Sequence, residues 1–371
     1  MRNSEKRELR FAIAGVGNCA SALTQAVARA SSQSDEQKTI SGLKTEQIGG
    51  LSIADLQCVA AFDVDSRKVG KSLSEACAAE PNCIWSPAFD VPNISTEVLR
   101  GPTLDGVAPH MRSTNENERS FQPDDTCSPV DVAKVLSDQR VDVLICFLPV
   151  GSQEAVEHYA QAAIDAGVAF LNCVPVFIAS NPNWRKKFEE ANLPLVGDDI
   201  KSQLGATVLH RTLIRLFQER GCDVLQTYQL NVGGNSDFRN MLVEERLASK
   251  RISKTNSVQA VRDQPLPAEK VHIGPSDYVH WQNDKKVAFI RIEAEGLFGA
   301  PIELEARLSV EDSWNSAGIV LDATRALGIA KWRGSKGVID PVATYCMKSP
   351  HKQKIDSIAV EEFENYVNSL S

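Results

Sequence analysis

Arg10-Phe-Ala-Ile-Ala-Gly15-Val-Gly17-Asn18-Cys19-Ala20 is a short apolar run that ends in a glycine turn, and the periodic segment Ala20 to Ala30 follows at once. The order strand, glycine turn, helix is that of the first βα unit of a dinucleotide-binding sheet. Within it, Gly15-x-Gly17-x-x-Ala20 fits the G-x-G-x-x-A pattern. The first glycine permits the tight turn, the second lets backbone approach a pyrophosphate, and the small Ala20 lets helix and strand come close. Alone, such a match is common in Ala- and Gly-rich segments. Here a second strand, Leu56-Gln-Cys-Val-Ala-Ala-Phe62, runs straight into Asp63-Val-Asp65. Asp63 then stands where an adenosine ribose would offer its hydroxyls, and no arginine immediately follows, so NAD is preferred over NADP. Asp63 lies well beyond the roughly 20-residue spacing usual for this acid. The polar stretch 31–50, which reads as a surface excursion, accounts for most of the excess. A glycine turn in another α/β fold is the competing reading.

Working outward, Ser66 to Cys77 reads as helix, Ala78 to Pro129 as loop carrying a polar tract from Ser113 to Ser120, and Val130 to Gln139 as helix. The strand Val141 to Leu148 ends in Pro149-Val-Gly151-Ser152, and the helix Glu154 to Ala166 follows. Ala169 to Val174 and Leu195 to Gly197 are further strands. Alternating β and α up to residue 200 predicts a doubly wound, Rossmann-like parallel sheet. The pattern then changes. Ile302 to Val310 alternates apolar and polar throughout, Val287 to Glu295 nearly so, and Val224 to Leu230 is strand-like. Such one-faced strands predict an antiparallel sheet with one buried face and one solvated or partner-facing face. Asn315 to Ala330 and Ala359 to Ser369 are helical again. The expected architecture is α/β, with a cofactor-binding domain of residues 1–200 completed by 312–371 and an α+β catalytic and oligomerisation domain of residues 201–311.

The chain has 371 residues, enough for about two domains. With 40 Lys+Arg against 48 Asp+Glu the net charge is −8, and nothing draws the surface toward nucleic-acid phosphates or anionic membranes. The longest apolar run, Val143 to Val150, falls far short of the roughly 20 residues of a spanning helix. Met1 to Arg10 is charged and lacks a signal peptide's apolar stretch, so a cytoplasmic location is expected. Nine cysteines without a C-x-x-C predict buried reduced thiols. The histidines show no metal-ligand spacing, so no protein-built metal site is expected.

Chemistry concentrates in a few segments. Gly197-Asp198-Asp199-Ile-Lys201-Ser202-Gln-Leu-Gly205 places two acids, a lysine and a hydroxyl where a strand ends and a helix begins, the end at which open α/β sheets bind ligands. The alternative is that Asp199 merely caps the helix carrying Leu204 and Val208. Asn231-Val-Gly233-Gly234-Asn235-Ser236-Asp237 closes a strand with amides and glycines suited to close ligand contact. Lys250 and Lys254 at i, i+4 share a helix face, which suits either solvent or a dianion such as phosphate. Lys285-Lys286 and Lys348 allow the same two readings.

These blocks together resemble the myo-inositol-1-phosphate synthases of the shorter bacterial and archaeal type. The resemblance rests on Gly15-Val-Gly-Asn-Cys-Ala-Ser21, Ala60-Ala-Phe-Asp-Val-Asp65, Arg100-Gly-Pro-Thr-Leu-Asp-Gly106, Leu148-Pro-Val-Gly-Ser152 and Gly197-Asp-Asp-Ile-Lys-Ser202. Asn231-Val-Gly-Gly-Asn235, Ile252-Ser-Lys254, His272-Ile-Gly-Pro-Ser-Asp277 and Asp312-Ser-Trp-Asn-Ser-Ala-Gly318 continue it, from about residue 10 to 350. Leu43 to Leu51 and residues 107–128 depart from the familiar pattern.

The resemblance implies an NAD-dependent isomerase that converts D-glucose 6-phosphate to 1L-myo-inositol 1-phosphate. Hydride leaves C5, the 5-keto sugar loses a C6 proton, C6 attacks the C1 aldehyde, and the hydride returns. By matched position, Lys250, Lys254, Lys286 and Lys348 resemble the catalytic and phosphate-binding lysines, with Lys254 and Lys286 assigned to C5 and O1 and Lys250 and Lys348 to substrate oxygens and phosphate. Asp199 and Asp312 resemble the carboxylates that tune them, with Asp284 in support. Gly15, Gly17, Asn18, Asp63, Tyr159, Ser202, Asn235, Asp237 and Lys250 resemble the cofactor-binding set, and Asn231, Lys254, Lys286 and Lys348 the substrate-binding set. The resemblance also implies a homotetramer and allows a cation of unspecified identity near the phosphate. The alternatives are a carbocyclase of the same family acting on another sugar phosphate such as fructose 6-phosphate, a plain dehydrogenase, and a non-enzymatic NAD-binding protein.

Overall fold

The structure is a computed structural model that describes residues 8–32, 40–85, 93–112, 119–262 and 264–370. Its first strand, β1 (Leu9–Ala14), is followed by α1 (Asn18–Ser32), β2 (Leu56–Asp63), α2 (Leu73–Ala78) and β3 (Val98–Arg100). The next units are α3 (Val132–Asp138), β4 (Val143–Cys146), α4 (Gln153–Asp165), β5 (Ala169–Asn172), α5 (Pro182–Glu190) and β6 (Pro194–Val196). All pair in parallel in the order β6-β5-β4-β1-β2-β3. The strand order reverses between β1 and β4, which opens a crevice at the carboxyl ends of the strands.

The second sheet is reached through α6 (Ala206–Glu219) and consists of β7 (Asp223–Gly233), β8 (Val271–Tyr278), β9 (Lys285–Glu295) and β10 (Pro301–Glu311), with α7 (Ser236–Asn240) and α8 (Glu244–Gln259) between β7 and β8. The antiparallel expectation holds for β7, β9 and β10, which pair antiparallel. β8 pairs parallel to β7 and makes the sheet mixed. This parallel pair is possible because α7 and α8 supply the long crossover that a parallel connection requires.

The chain then returns to the first sheet. α9 (Asp312–Trp332) is buried from Ser316 to Ala330, and β11 (Gly337–Val338) extends the sheet beside β6. α10 (Asp340–Cys346) and α11 (Asp356–Ser369) complete this side. α9 shares one core with α1, α10 and α11, and α3, α4 and α5 form the core on the opposite face. Each fully buried aliphatic side chain, such as Leu321 or Leu327, contributes about 1.5–3 kcal/mol.

Three local expectations are corrected. The helix expected from Ser66 to Cys77 is confined to Leu73–Ala78, where Ser72 and Glu75 form a capping box, and residues 66–71 turn instead. The 31–50 excursion is in part a core segment. Ile48 is fully buried and Leu51 nearly so, and buried Arg325 donates to the carbonyls of Thr45, Glu46 and Leu51. The segment 78–129 carries β3 on the sheet edge and a buried Met111. Most of the Ser113 to Ser120 tract lies outside the described residues. All nine cysteines are free, five of them buried.

Candidate active site

At the switch point β1 ends in Gly15, whose φ of +92° is open to glycine alone. A side chain there would meet the Phe147 carbonyl oxygen at 2.9 Å, whereas one on Gly17 would meet nothing within 4 Å. The loop is therefore closed toward the sheet and open above it, as close backbone approach to a ligand requires. Asp63 shapes this loop: its carboxylate accepts the amide of Val16 at 2.8 Å and those of Val64 and Asp65 at 2.7 and 2.9 Å. Tyr159 is buried on α4, with its hydroxyl so close to Gly101 that no side chain fits there.

The loop opens into a cleft that encloses about 1720 Å³ of empty space, its mouth included. Every residue of the expected catalytic, cofactor-binding and substrate-binding sets lines it: Gly15, Gly17, Asn18, Asp63 and Tyr159 toward the glycine loop, with Ser202, Asn231, Asn235 and Asp237 between. Asp199, Lys250, Lys254, Lys286, Asp312 and Lys348 line it as well.

The two acids after β6 divide their work. Asp198 is buried and accepts from Asn172 Nδ2 at 2.7 Å, from the amides of Ala179 and Ser180, and from the Ser180 hydroxyl. Burial outweighs these bonds and pushes its pKa up to about 6. Asp199 turns the other way, at φ 61°, and does not cap α6, whose N-cap is Gly205. It accepts from Lys250 Nζ at 3.0 Å, Lys348 Nζ at 2.9 Å and the Ser253 hydroxyl at 2.7 Å. Burial opposes its charge, but the two ammonium groups and the hydroxyl prevail and hold the carboxyl well below the usual range. Lys201 belongs to the scaffold: its ammonium meets the Thr344 carbonyl at 2.9 Å and Asp356 at 3.2 Å, and Arg211 binds the same carboxylate.

Backbone pairing explains the convergence. The Lys348 amide donates to the Asp199 carbonyl, and residues 198 and 349 exchange two further bonds. This stitch places Lys348 on Asp199 although 149 positions separate them. The β9–β10 register pairs Lys286 with Val310, and α9 begins two residues later at Asp312, which binds the Lys286 ammonium. Lys250 and Lys254, one turn apart on α8, both face the cleft.

Electrostatics separate the four lysines. Burial would discharge Lys250, but Asp199 and Asp237 outweigh it and keep it charged. Lys348 is lowered to about 8, chiefly by burial, with Asp199 opposing and Lys250 and Lys286 reinforcing the fall. Lys254 has no hydrogen-bond or ion-pair partner among the described residues. Burial, followed by Lys250, Lys286 and Lys348, lowers its pKa well below that of an ordinary lysine. A cluster combining fixed ammonium groups with one that readily discharges can stabilise oxygen anions and also carry a proton.

Three residues of this region escaped the sequence reading in whole or part. Asp284 was expected to support the carboxylates that tune the lysines, yet it accepts from Asn18, Asn235 and Ser313 and so ties the glycine loop to α7 and α9. Burial, reinforced by Asp312, raises it to about 6. Gln229 is buried and lines the cleft, donating to Asn231 at 3.1 Å; the two-residue period of β7 places it on the same face as Asn231. Lys68 also lines the cleft, but the sequence pattern had assigned it to a helix. Among the described residues, no group of three His, Cys, Asp or Glu side chains is placed to hold a metal, and no helix is long and apolar enough to cross a membrane.

Comparison with known proteins gives the same pattern. A family profile described as myo-inositol-1-phosphate synthase matches residues 205–313, the segment that supplies Asn231, three of the four lysines and Asp312. The chain is 51% identical to an inositol-3-phosphate synthase of Corynebacterium glutamicum over 97% of its length and 98% of that relative. It is 50% identical to one of Mycolicibacterium smegmatis over the same shares. The crystal structure of Ari2 superposes with a TM-score of 0.76 at 33% identity, covering 98% of this chain and 99% of that one. For the Caenorhabditis elegans inositol-3-phosphate synthase the TM-score is 0.72 at 15% identity, covering 99% and 86%, a likeness of fold. Half the residues are shared over nearly the full length of two bacterial synthases, and the profile-matched segment supplies three of the four cleft lysines; this chain is an enzyme of the myo-inositol-1-phosphate synthase family.

Proposed function

We propose that the enzyme converts D-glucose 6-phosphate to 1L-myo-inositol 1-phosphate with NAD. The observation that carries this reading is the convergence of four lysines and two carboxylates in one cleft continuous with the glycine loop. The loop fits a dinucleotide, since Gly17 leaves open space above it and α1 begins at Asn18 beside that space. Gly15, Gly17, Asn18, Asp63, Tyr159, Ser202, Asn235, Asp237 and Lys250 would hold NAD, which when bound supplies hydride acceptance and return at C5.

The chain's own groups do the rest. Lys254, readily discharged, is placed to accept the proton of the C5 hydroxyl; once charged, it holds the oxygen of the C5 carbonyl as the C6 proton passes to the substrate's own phosphate. Lys286, held by Asp312, steadies the charge that develops at O1 during ring closure. Lys250 and Lys348, held by Asp199, bind substrate oxygens and phosphate, and the Asn231 carboxamide orients the sugar. Enclosure strengthens each of these interactions because little water competes. A cation of unspecified identity near the substrate phosphate belongs to the same reading.

The reading also divides the chain at its expected boundaries, 1–200 with 312–371 around the cofactor and 201–311 for catalysis and assembly. It includes a homotetramer, supported by β10, whose side chains are all exposed or half-buried, and by exposed Phe289 on β9.

The test is incubation of purified enzyme with catalytic NAD and either glucose 6-phosphate or fructose 6-phosphate, followed by phosphorus and carbon NMR. Inositol 1-phosphate from glucose 6-phosphate alone is expected, with no net change at 340 nm. Lys286→Ala should slow it roughly 10²- to 10³-fold, as loss of one oxyanion donor does. A carbocycle from fructose 6-phosphate would show that the substrate was wrong, and stoichiometric NADH would identify a dehydrogenase.

A pH profile probes Lys348. Its ammonium is charged below its pKa of about 8 and discharges above it, so kcat/KM is expected to fall on the alkaline side of that value. Bound phosphate favours the charged form, so kcat should hold to higher pH. Lys348→Arg, charged throughout, should move the kcat/KM limb upward, and an unmoved limb would assign it to another group.

A further inference from the structure

We propose that Lys68 is the counter-charge for the pyrophosphate of the bound dinucleotide, an inference that rests on the NAD reading above. Lys68 is only 2% exposed and lines the cleft. Its ammonium donates to the Val16 carbonyl at 2.7 Å and to Asn82 Oδ1 at 3.0 Å, which leaves one of its three donors uncommitted. Among the described residues it has no ion-pair partner. Lys201, Lys250, Lys286 and Lys348 each lie against a carboxylate. A buried cation without a counter-ion is costly, and proteins keep one where a ligand brings the missing charge.

The position identifies that ligand. Val16 lies between the two glycines of the loop. Its carbonyl is held by Lys68 and by Asn82 Nδ2, and its amide by Asp63. The loop is thus gripped through its middle residue, while Gly17 leaves open space where a side chain would stand, and Asn18 and Cys19, at the amino end of the 15-residue α1, line the cleft. An anion seated there meets the positive end of the helix dipole and the uncommitted proton of Lys68. Arg67 next door cannot take this part, because its guanidinium is committed to Asp65 and the Ser120 carbonyl.

A purely structural Lys68 would brace Val16 through hydrogen bonds, whereas a counter-ion acts through its charge. Lys68→Gln keeps donors for the brace and removes the charge; Lys68→Met removes both. The measurement is calorimetric binding of NAD, ADP and adenosine to each protein at low and high NaCl. In both variants NAD and ADP affinity should fall roughly 10- to 100-fold, as for loss of a charged hydrogen bond, with a flatter salt dependence and little change for adenosine. Lys68→Arg should retain most of the affinity. Unchanged ADP affinity in Lys68→Gln, or equal losses for ADP and adenosine, would reduce Lys68 to a brace and overturn the proposal. If Lys68→Met does not fold, Lys68→Gln and the wild-type preference for ADP over adenosine, which should weaken with salt, still decide it. A wild-type protein that binds no NAD would sink the cofactor reading itself.

Discussion

Replacement of Lys254 by methionine is expected to lower kcat by on the order of 10²- to 10⁴-fold, the range for loss of a general acid–base group, while the fold keeps or gains stability. The two effects have one cause. Lys254 is desolvated beside three other lysines and has no carboxylate of its own, so its charged form is disfavoured in the folded protein. An unfolded chain releases that constraint and binds the proton, so this group's contribution to stability rises with pH from its lowered folded pKa up to the ordinary lysine value of about 10.4. Methionine has similar bulk and no charge, so the variant should lack that part of the pH dependence and melt no earlier than wild type at neutral pH. Lys254→Arg, charged throughout, should not restore turnover. Steady-state rates with thermal melts across pH would check this, and a methionine variant within tenfold of wild-type kcat would remove Lys254 from proton transfer.

Asp199→Asn should have the opposite stability signature. The carboxylate is fully buried and binds Lys250, Lys348 and Ser253. An amide leaves two buried ammonium groups facing each other, a loss of about 3–5 kcal/mol for a broken buried pair. A large drop in the urea midpoint and loss of activity are expected. Inorganic phosphate should restore more stability to the variant than to wild type, because an anion can take the place of the lost carboxylate. An unchanged midpoint would mean that the lysines do not depend on Asp199.

Much of the cleft was legible because its residues lie where strands end. Gly15 to Ala20 and Asp199 follow β1 and β6, Asp63 ends β2, and a parallel sheet brings such positions to one edge whatever the intervening loops do. Lys250 and Lys254 were legible as one helix face, though not as buried. Other features were not local. Asp198 and Asp199 look equivalent in sequence, yet one is spent on Asn172 and Ser180 while the other serves the cleft. Lys201 stands in the same acid and lysine cluster of the sequence, but α11 places Asp356 beside it. The core role of Ile48 depends on α9, which arrives more than 260 residues later in the chain. β8 escaped notice because Gly274 and Pro275 interrupt its apolar pattern, and pairing with β7 decides its conformation.

Periodicity and punctuation in the sequence therefore determined the doubly wound sheet, the glycine loop and the residue types of the site, since hydrophobic spacing and backbone freedom are local properties. Tertiary structure alone decided which lysine meets which carboxylate, because charge, burial and pKa depend on groups brought together across long separations. Asp199 acquires its two lysines from α8 and from the stitch at residues 347–349, and Lys254 loses its proton readily only because three ammonium groups and a closed core surround it.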